Sequence, residues 1–174
     1  MHHPLESFKY CPKCGSSHFE ENNFKSKKCA DCGFIYYFNS SASAAAFITN
    51  KDGQLLVARR AKEPAKGTFD LPGGFVDMAE TAEEAVIREI KEETGLSLSN
   101  PQYLFSLPNV YRYSEFDVHT VDMFYQCIIE DNRVPVPADD VEELFFLSLN
   151  QVDPSLFGLM SIRKAIGIWL KMRI

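Results

Sequence analysis

The chain has 174 residues, 45% of them hydrophobic and 24% charged, a size and composition suited to one globular domain, alone or with a small appendage. Its net charge of −6 argues against nonspecific nucleic-acid binding through a broad basic surface. No apolar run approaches the ~20 residues of a membrane span, and the opening "MHHPLESFKY" lacks the charged and apolar regions of a signal peptide, so the expected location is cytoplasmic.

The first 38 residues stand apart. They hold five lysines against four carboxylates, a formal +1 that leaves −7 for the remainder, so a phosphate substrate approaching the remainder needs help from cations. The His2–His3 pair is given no function. "CPKCG" at 11–15 and "CADCG" at 29–33 are matched Cys-x-x-Cys-Gly turns, with fourteen residues between Cys14 and Cys29. Cys11, Cys14, Cys29 and Cys32 therefore form a set of four thiolates that fits tetrahedral Zn²⁺ with no open position, a structural site. So short a segment needs such a staple, because it cannot bury a sizeable core. Lys25, Lys27 and Lys28 are read as a solvated loop.

A boundary is expected near "NSSASAAA", giving a ribbon over 1–38 and a larger domain over 39–174. In the larger domain "AAAFITN" reads as a strand, Asp52-Gly53 as a hairpin turn and "QLLVARR" as the partner strand. "AKEPAKGTFDLPGG" reads as loop, with a short strand near Thr68–Leu71. "NPQYLFSLPNVYRYS" and "VHTVDMFYQCIIED" read as two strands, with Cys127 as a buried thiol of the second. A Pro-rich loop, "DNRVPVPADD", precedes a strand in "VEELFFLSL". Ile162, Ile166, Trp169 and Leu170 recur at helical spacing near the end. Strands mixed with two helices indicate an α/β or α+β fold.

Between the early and late strands lies "GGFVDMAETAEEAVIREIKEETGL", with seven carboxylates in 24 residues. Thr81 and Glu84 form a capping box that starts a helix at Ala82, and Gly95 stops it after Thr94. Glu89, Glu92 and Glu93 then fall at i, i+3 and i+4 on one face. Like charges at that spacing cost roughly 0.2–0.5 kcal/mol per pair unless they share hard divalent cations such as Mg²⁺ or Mn²⁺. The Gly73-Gly74 turn can add a backbone carbonyl to such a site. Asp77 and Glu83 are read as solvated.

These residues meet the pattern Gly-x5-Glu-x7-Arg-Glu-U-x-Glu-Glu-x-Gly-U, with U apolar, at Gly74, Glu80, Arg88, Glu89, Ile90, Glu92, Glu93, Gly95 and Leu96 without gap or substitution. The stretch thus resembles the Nudix box, and "GTFDLPGG" resembles that family's lead-in, with Phe69 where many members carry tryptophan. The resemblance implies an α/β/α sandwich around a mixed sheet. It also implies hydrolysis of a diphosphate linked to another group, usually a nucleoside, with Mg²⁺ or Mn²⁺. It makes Glu89, Glu92 and Glu93, with the Gly73 carbonyl, the metal ligands. Glu89 or a carboxylate from a later loop becomes the base, and Arg88 with Glu80 a supporting pair. The later carboxylate is sought among Glu115, Asp117, Asp140, Glu142 and Glu143, with Glu142 favoured.

A four-cysteine ribbon ahead of a Nudix domain resembles the NADH pyrophosphatase branch, which also acts on NAD-capped RNA. The chain keeps Ser106, Pro108 and an aromatic at Tyr111 from that branch's array, and lacks its tryptophan and other prolines. The layout therefore fits a broader group of ribbon-bearing hydrolases, with NADH, ADP-ribose, FAD or nucleoside triphosphates as substrates. Phe69, Tyr111 and Tyr113 are candidates for stacking on a base, and one of Arg59 and Arg60 for gripping phosphate. A catalytically silent nucleotide- or RNA-binding module is the competing reading, and a homodimer supported by the ribbon is a further expectation.

Overall fold

A computed structural model describes residues 3–113, 115–130, 135–138 and 141–173, so His2, Asp140 and most of the Pro-rich loop lie outside the described residues. The chain divides into two compact units, residues 1–40 and 41–174.

The first unit is a three-stranded antiparallel sheet, β1 (Phe19–Asn23), β2 (Ser26–Cys29) and β3 (Ile35–Tyr37), in that order. Its core is small: Cys11, Phe19 and Cys29 are buried together, with Phe34 packed against them. The expected solvated lysine loop is corrected here, because Lys27 and Lys28 lie in β2 and Lys27 is only 7% exposed. Its ammonium donates to the Phe8 carbonyl at 2.8 Å and sits 5.7 Å from the centre of the Phe19 ring, so both its charge and its stem are used.

The second unit is a mixed seven-stranded sheet between two helices. Its strands are β4 (Ser41–Asn50), β5 (Leu55–Arg60), β6 (Phe69–Asp70), β7 (Gly73–Phe75), β8 (Gln102–Tyr113), β9 (Phe116–Ile129) and β10 (Val141–Leu147). The order is β10-β5-β4-β9-β8, with β6 added to β5 and β7 to β4. β4 and β9 run parallel over ten paired positions, while the other pairs are antiparallel. Helix α1 (Ala82–Thr94) covers one face, where Ala85, Val86 and Ile90 meet Ala44, Ala46 and Ile48 of β4. Helix α2 (Met160–Met172) covers the other, with Trp169 stacked on Phe47 at 4.7 Å between ring centres. Strand alternation explains the split, since odd positions of β4 face α2 and even positions face α1. The α/β/α sandwich around a mixed sheet, preceded by a small cysteine-bearing unit, is thus the fold observed.

The expected hairpin forms, with β4 and β5 antiparallel neighbours joined by a turn in which the Gly53 amide donates to the Asn50 carbonyl at 2.9 Å, but its ladder is short. The strands flanking Asp52-Gly53 pair only at Thr49 and Leu55, then part. β7 takes the vacated edge of β4, and β6 with β10 takes β5. The parting opens the space that becomes the cavity described below. No described helix is long and apolar enough to cross a membrane.

Candidate functional site

In the small unit the four thiols converge with all Sγ atoms within 4.8 Å of one another. Cys11 and Cys32 are 3.7 Å apart and Cys14 and Cys29 3.6 Å, far beyond a disulfide bond. Four sulfurs at ~2.3 Å from a central Zn²⁺ would stand ~3.8 Å apart at tetrahedral angles, so the cluster fits that ion. Each knuckle is closed by a glycine amide, Gly15 to the Cys11 carbonyl at 2.8 Å and Gly33 to the Cys29 carbonyl at 3.0 Å. Both glycines have positive φ, 75° and 72°. The Cys32 amide, opposed by burial and aided by the Asp31 amide, lowers the Cys29 thiol to about 7. At Cys14 the Ser16 amide is outweighed by the Cys32 bond, burial and the other thiols, which raise that thiol to about 12, so the four sulfurs share their protons unevenly.

In the large unit the site is built outward from β7. Gly73, at φ 147°, presses so close to β4 that a Cβ would stand 2.2 Å from the Ala44 carbonyl oxygen. A Cβ on Gly74 would stand 2.5 Å from the Glu89 carboxyl carbon, so the missing side chain is the space that Glu89 occupies. The capping box is formed: Thr81 Oγ1 accepts from the Glu84 amide at 3.2 Å and Glu84 accepts from the Thr81 amide at 2.8 Å. The helix ends at Gly95, φ 72°, whose amide donates to Lys91.

Arg88 organises the acidic face. Its Nε and Nη2 donate to the two Glu80 oxygens at 2.8 and 2.9 Å, and Nη2 also reaches the Phe75 carbonyl at 3.0 Å. Nη1 donates to Glu89 at 2.8 Å and to Glu92 at 3.1 Å. These bonds raise the pKa of Arg88, the Glu80 bond most and the Glu89 bond next. The Arg88 bond, followed by the Asp77 amide, lowers that of Glu80. Glu89 moves upward, because burial outweighs the Arg88 hydrogen bond and charge. Glu93 accepts from the Gly73 amide at 3.0 Å, which ties the end of α1 to β7. The box carboxylates do not crowd as the thiols do. Among the described residues only the four cysteines bring three or more ligand atoms within 4.8 Å of one another.

The two residues read as solvated are exposed, and each also has a neighbour. Glu83 accepts from the Tyr125 hydroxyl at 3.0 Å, and Asp77 lines the cavity with its carboxylate 3.8 Å from Arg88.

A cavity of about 370 Å³ opens beside this face, lined by Glu89, Glu93, Gly73 and Gly74 on one part and by Arg60, Asp70 and Tyr111 on another. Arg60 and Arg59 both border it, yet both are engaged. Arg60 donates to Asp70 at 2.5 Å and to the Pro64 carbonyl at 2.8 Å. Burial pulls the Arg60 pKa down, but the Asp70 charge and hydrogen bond outweigh it, with help from Tyr111. Burial pushes Asp70 upward against Arg60 and the Leu71 amide. Arg59 donates to Glu143 at 3.1 Å and lies 5.1 Å from the Phe69 ring centre and 5.8 Å from that of Phe145.

Phe69 is not a cavity residue. It packs edge-on against Phe145 and Phe157, which accounts for an aromatic there without a substrate. Tyr111 does line the cavity, edge-on to Phe75 at 6.1 Å. Tyr113 is exposed and borders no part of it. Of the later carboxylates, Glu142 is exposed at a bulge in β10 and absent from the cavity wall, Glu143 holds Arg59, and Asp117 holds Arg112 at 2.6 Å. Glu115 lies in the β8–β9 turn at φ 63°. The sequence reading passed over Asp70, Asn109 and the trio Ser43, Thr120 and Asp122, all of which line the cavity. A signal existed for Asp122, an acid immediately before the apolar run Met123–Tyr125.

Residues 40–166 match the family model of the NUDIX domain. The chain is similar to an ADP-ribose pyrophosphatase of Methanocaldococcus jannaschii, 38% identical over 70% of each chain. It is also similar to the NAD-capped RNA hydrolase NudC of Vibrio atlanticus, 32% identical over 61% of this chain and only 39% of that relative's length. A crystal structure titled as a NUDIX hydrolase from Nitrosomonas europaea shares the fold, with a TM-score of 0.74 at 20% identity over 95% of this chain and 92% of that one.

Proposed function

Because the chain belongs to the Nudix family, we propose that it hydrolyses the diphosphate of a nucleoside diphosphate derivative, ADP-ribose or NADH in type, and releases a nucleoside monophosphate. The observation that carries this is the unbroken box with Glu89 and Glu93 facing a cavity from which Gly74 withholds a side chain. The relatives named for ADP-ribose and for NAD-capped RNA support the substrate type, and the second adds the capped end of an RNA as a larger substrate.

Glu89, Glu92 and Glu93 with the Gly73 carbonyl are the hard oxygen donors that suit Mg²⁺ or Mn²⁺, with Arg88 paired to two of them. When bound, the ion supplies positive charge that neutralises the diphosphate. Glu89 is the group we assign to take a proton from the attacking water, since burial lifts its pKa toward the range a general base needs. Arg88, held by Glu80 and Phe75, keeps Glu89 in place. Zn²⁺ in the four-cysteine site is structural in this reading.

The test is a hydrolysis panel of ADP-ribose, NADH, FAD and nucleoside triphosphates with Mg²⁺ or Mn²⁺, with the products identified. Nucleoside monophosphate from ADP-ribose or NADH is expected, and Glu92→Gln should lower kcat/KM by about 100-fold or more. Release of pyrophosphate from triphosphates alone, or full activity in Glu92→Gln, would overturn the reading.

A further inference from the structure

The cavity holds a second polar cluster that the box residues do not use. The parallel register sets Ser43 of β4 opposite Asp122 of β9. Ser43 Oγ donates to Asp122 Oδ1 at 2.6 Å, and Thr120 Oγ1 donates to the same oxygen at 2.5 Å. Asp122 is 7% exposed and lines the cavity, yet among the described residues its Oδ2 has no hydrogen bond and no cation pairs with it. That second oxygen is not among the buried unpartnered atoms of the described residues, so it is open to the cavity, where a ligand donor can reach it.

The pattern of the sheet leads one to expect an apolar residue here instead. On the face toward α2, β4 reads Ser43, Ala45, Phe47 and β9 reads Thr120, Asp122, Phe124. Ala45, Phe47 and Phe124 belong to the core beneath the helix, and an apolar residue at 122 would extend it. A local rule broken at a cavity wall points to function.

We infer that Asp122, fixed by Ser43 and Thr120, selects the substrate by accepting an O–H or N–H donor from the sugar or base joined to the diphosphate. This rests on the proposed diphosphate hydrolysis. Two hydroxyls spent on Oδ1 lock the carboxylate and leave Oδ2 as a fixed acceptor facing the cavity. A ribose hydroxyl and an exocyclic amine are the donors such substrates offer. A phosphate offers none and carries like charge, so the same residue disfavours a terminal phosphate at this wall. Tyr111, edge-on to Phe75, adds an aromatic surface in the same cavity.

Steady-state kinetics of the full chain tests this, with ADP-ribose, its 2′-deoxy and 3′-deoxy forms, its hypoxanthine form and ATP. Wild type should show a KM raised about 10-fold or more for at least one analogue that lacks a donor. Asp122→Asn puts an N–H₂ where Oδ2 stood. It should raise KM for ADP-ribose comparably, add nothing for that same analogue, and narrow the preference for ADP-ribose over ATP by about 10-fold, with the loss falling on KM more than on kcat. The analogue affected separates hydroxyl from amine recognition. Wild-type KM values indifferent to every analogue would overturn the inference without any variant having to fold, as would an equal loss in Asp122→Asn on all substrates. Absence of turnover on every diphosphate would instead sink the proposed function, and this inference with it.

Discussion

Gly73 and Gly74 are neighbours required for different reasons. At Gly73 the obstacle to a side chain is the backbone of β4, and its φ of 147° suits glycine alone. At Gly74 the obstacle is the movable end of Glu89. Gly73→Ala should therefore cost roughly 3 kcal/mol or more of stability. Gly74→Ala should leave Tm within about 2 °C of wild type while lowering kcat/KM by about 100-fold through a displaced Glu89. Thermal unfolding and kinetics on the two variants check the contrast, and equal stability losses would refute it. The Gly-Gly pair was read in the sequence as a turn, whereas it lies in strand β7, paired with β4. The division of labour was not legible, because it depends on β4 and α1, which approach from opposite directions in the fold. Arg59 and Arg60 show the same limit: adjacent side chains could be read as diverging, but not that Glu143 and Asp70 hold them.

Helix α1 was legible in full because every signal that sets it is local. The Thr81–Glu84 box starts it, Gly95 in the left-handed region ends it, and the apolar stripe of Ala85, Val86 and Ile90 faces the sheet. Thr81→Ala removes the acceptor for the Glu84 amide and should cost about 1 kcal/mol, seen as a fall in Tm of roughly 2–4 °C. No change in Tm would mean that packing alone fixes the helix start. Strands β4 and β5 were legible as strands, but their separation was not. A Gly-containing turn between apolar runs specifies a hairpin, and only the short strands β6 and β7, three or fewer residues each, reveal that the edges have other partners. Those two strands carry too few residues to show a period of two. The trio at Ser43, Thr120 and Asp122 escaped for the same reason, since a parallel register across 79 residues leaves no local trace.

The molecule combines a sheet unit with its own two-sided core and a small unit whose buried apolar residues are few, chiefly Leu5, Phe19 and two of its own cysteines. The large core can sustain itself, while the small one is expected to need the proposed metal staple. Native protein should contain one zinc atom per chain. A strong chelator at neutral pH should abolish hydrogen-exchange protection in β1–β3 while the amides of β4 and β9 stay protected. Persistence of protection in β1–β3 after zinc loss would show that the small unit folds without metal. Its cysteine cluster was legible in the sequence, since two matched turns in ten residues announce a common meeting point for four thiols. The sheet is the opposite case, with its centre assembled from distant segments.

That assembly has a consequence in time. β4 cannot gain its parallel neighbour until residues 120–129 exist, and the 79 residues separating Ser43 from Asp122 take roughly 4–16 s to synthesise. A nascent chain therefore carries "AAAFITN" with one long edge bare for seconds, while α1, made in between, can already wind. The strand is protected only once the polar wall of the cavity is complete, so the last step in hiding the aggregation-prone edge is also the step that makes the protein able to recognise a ligand.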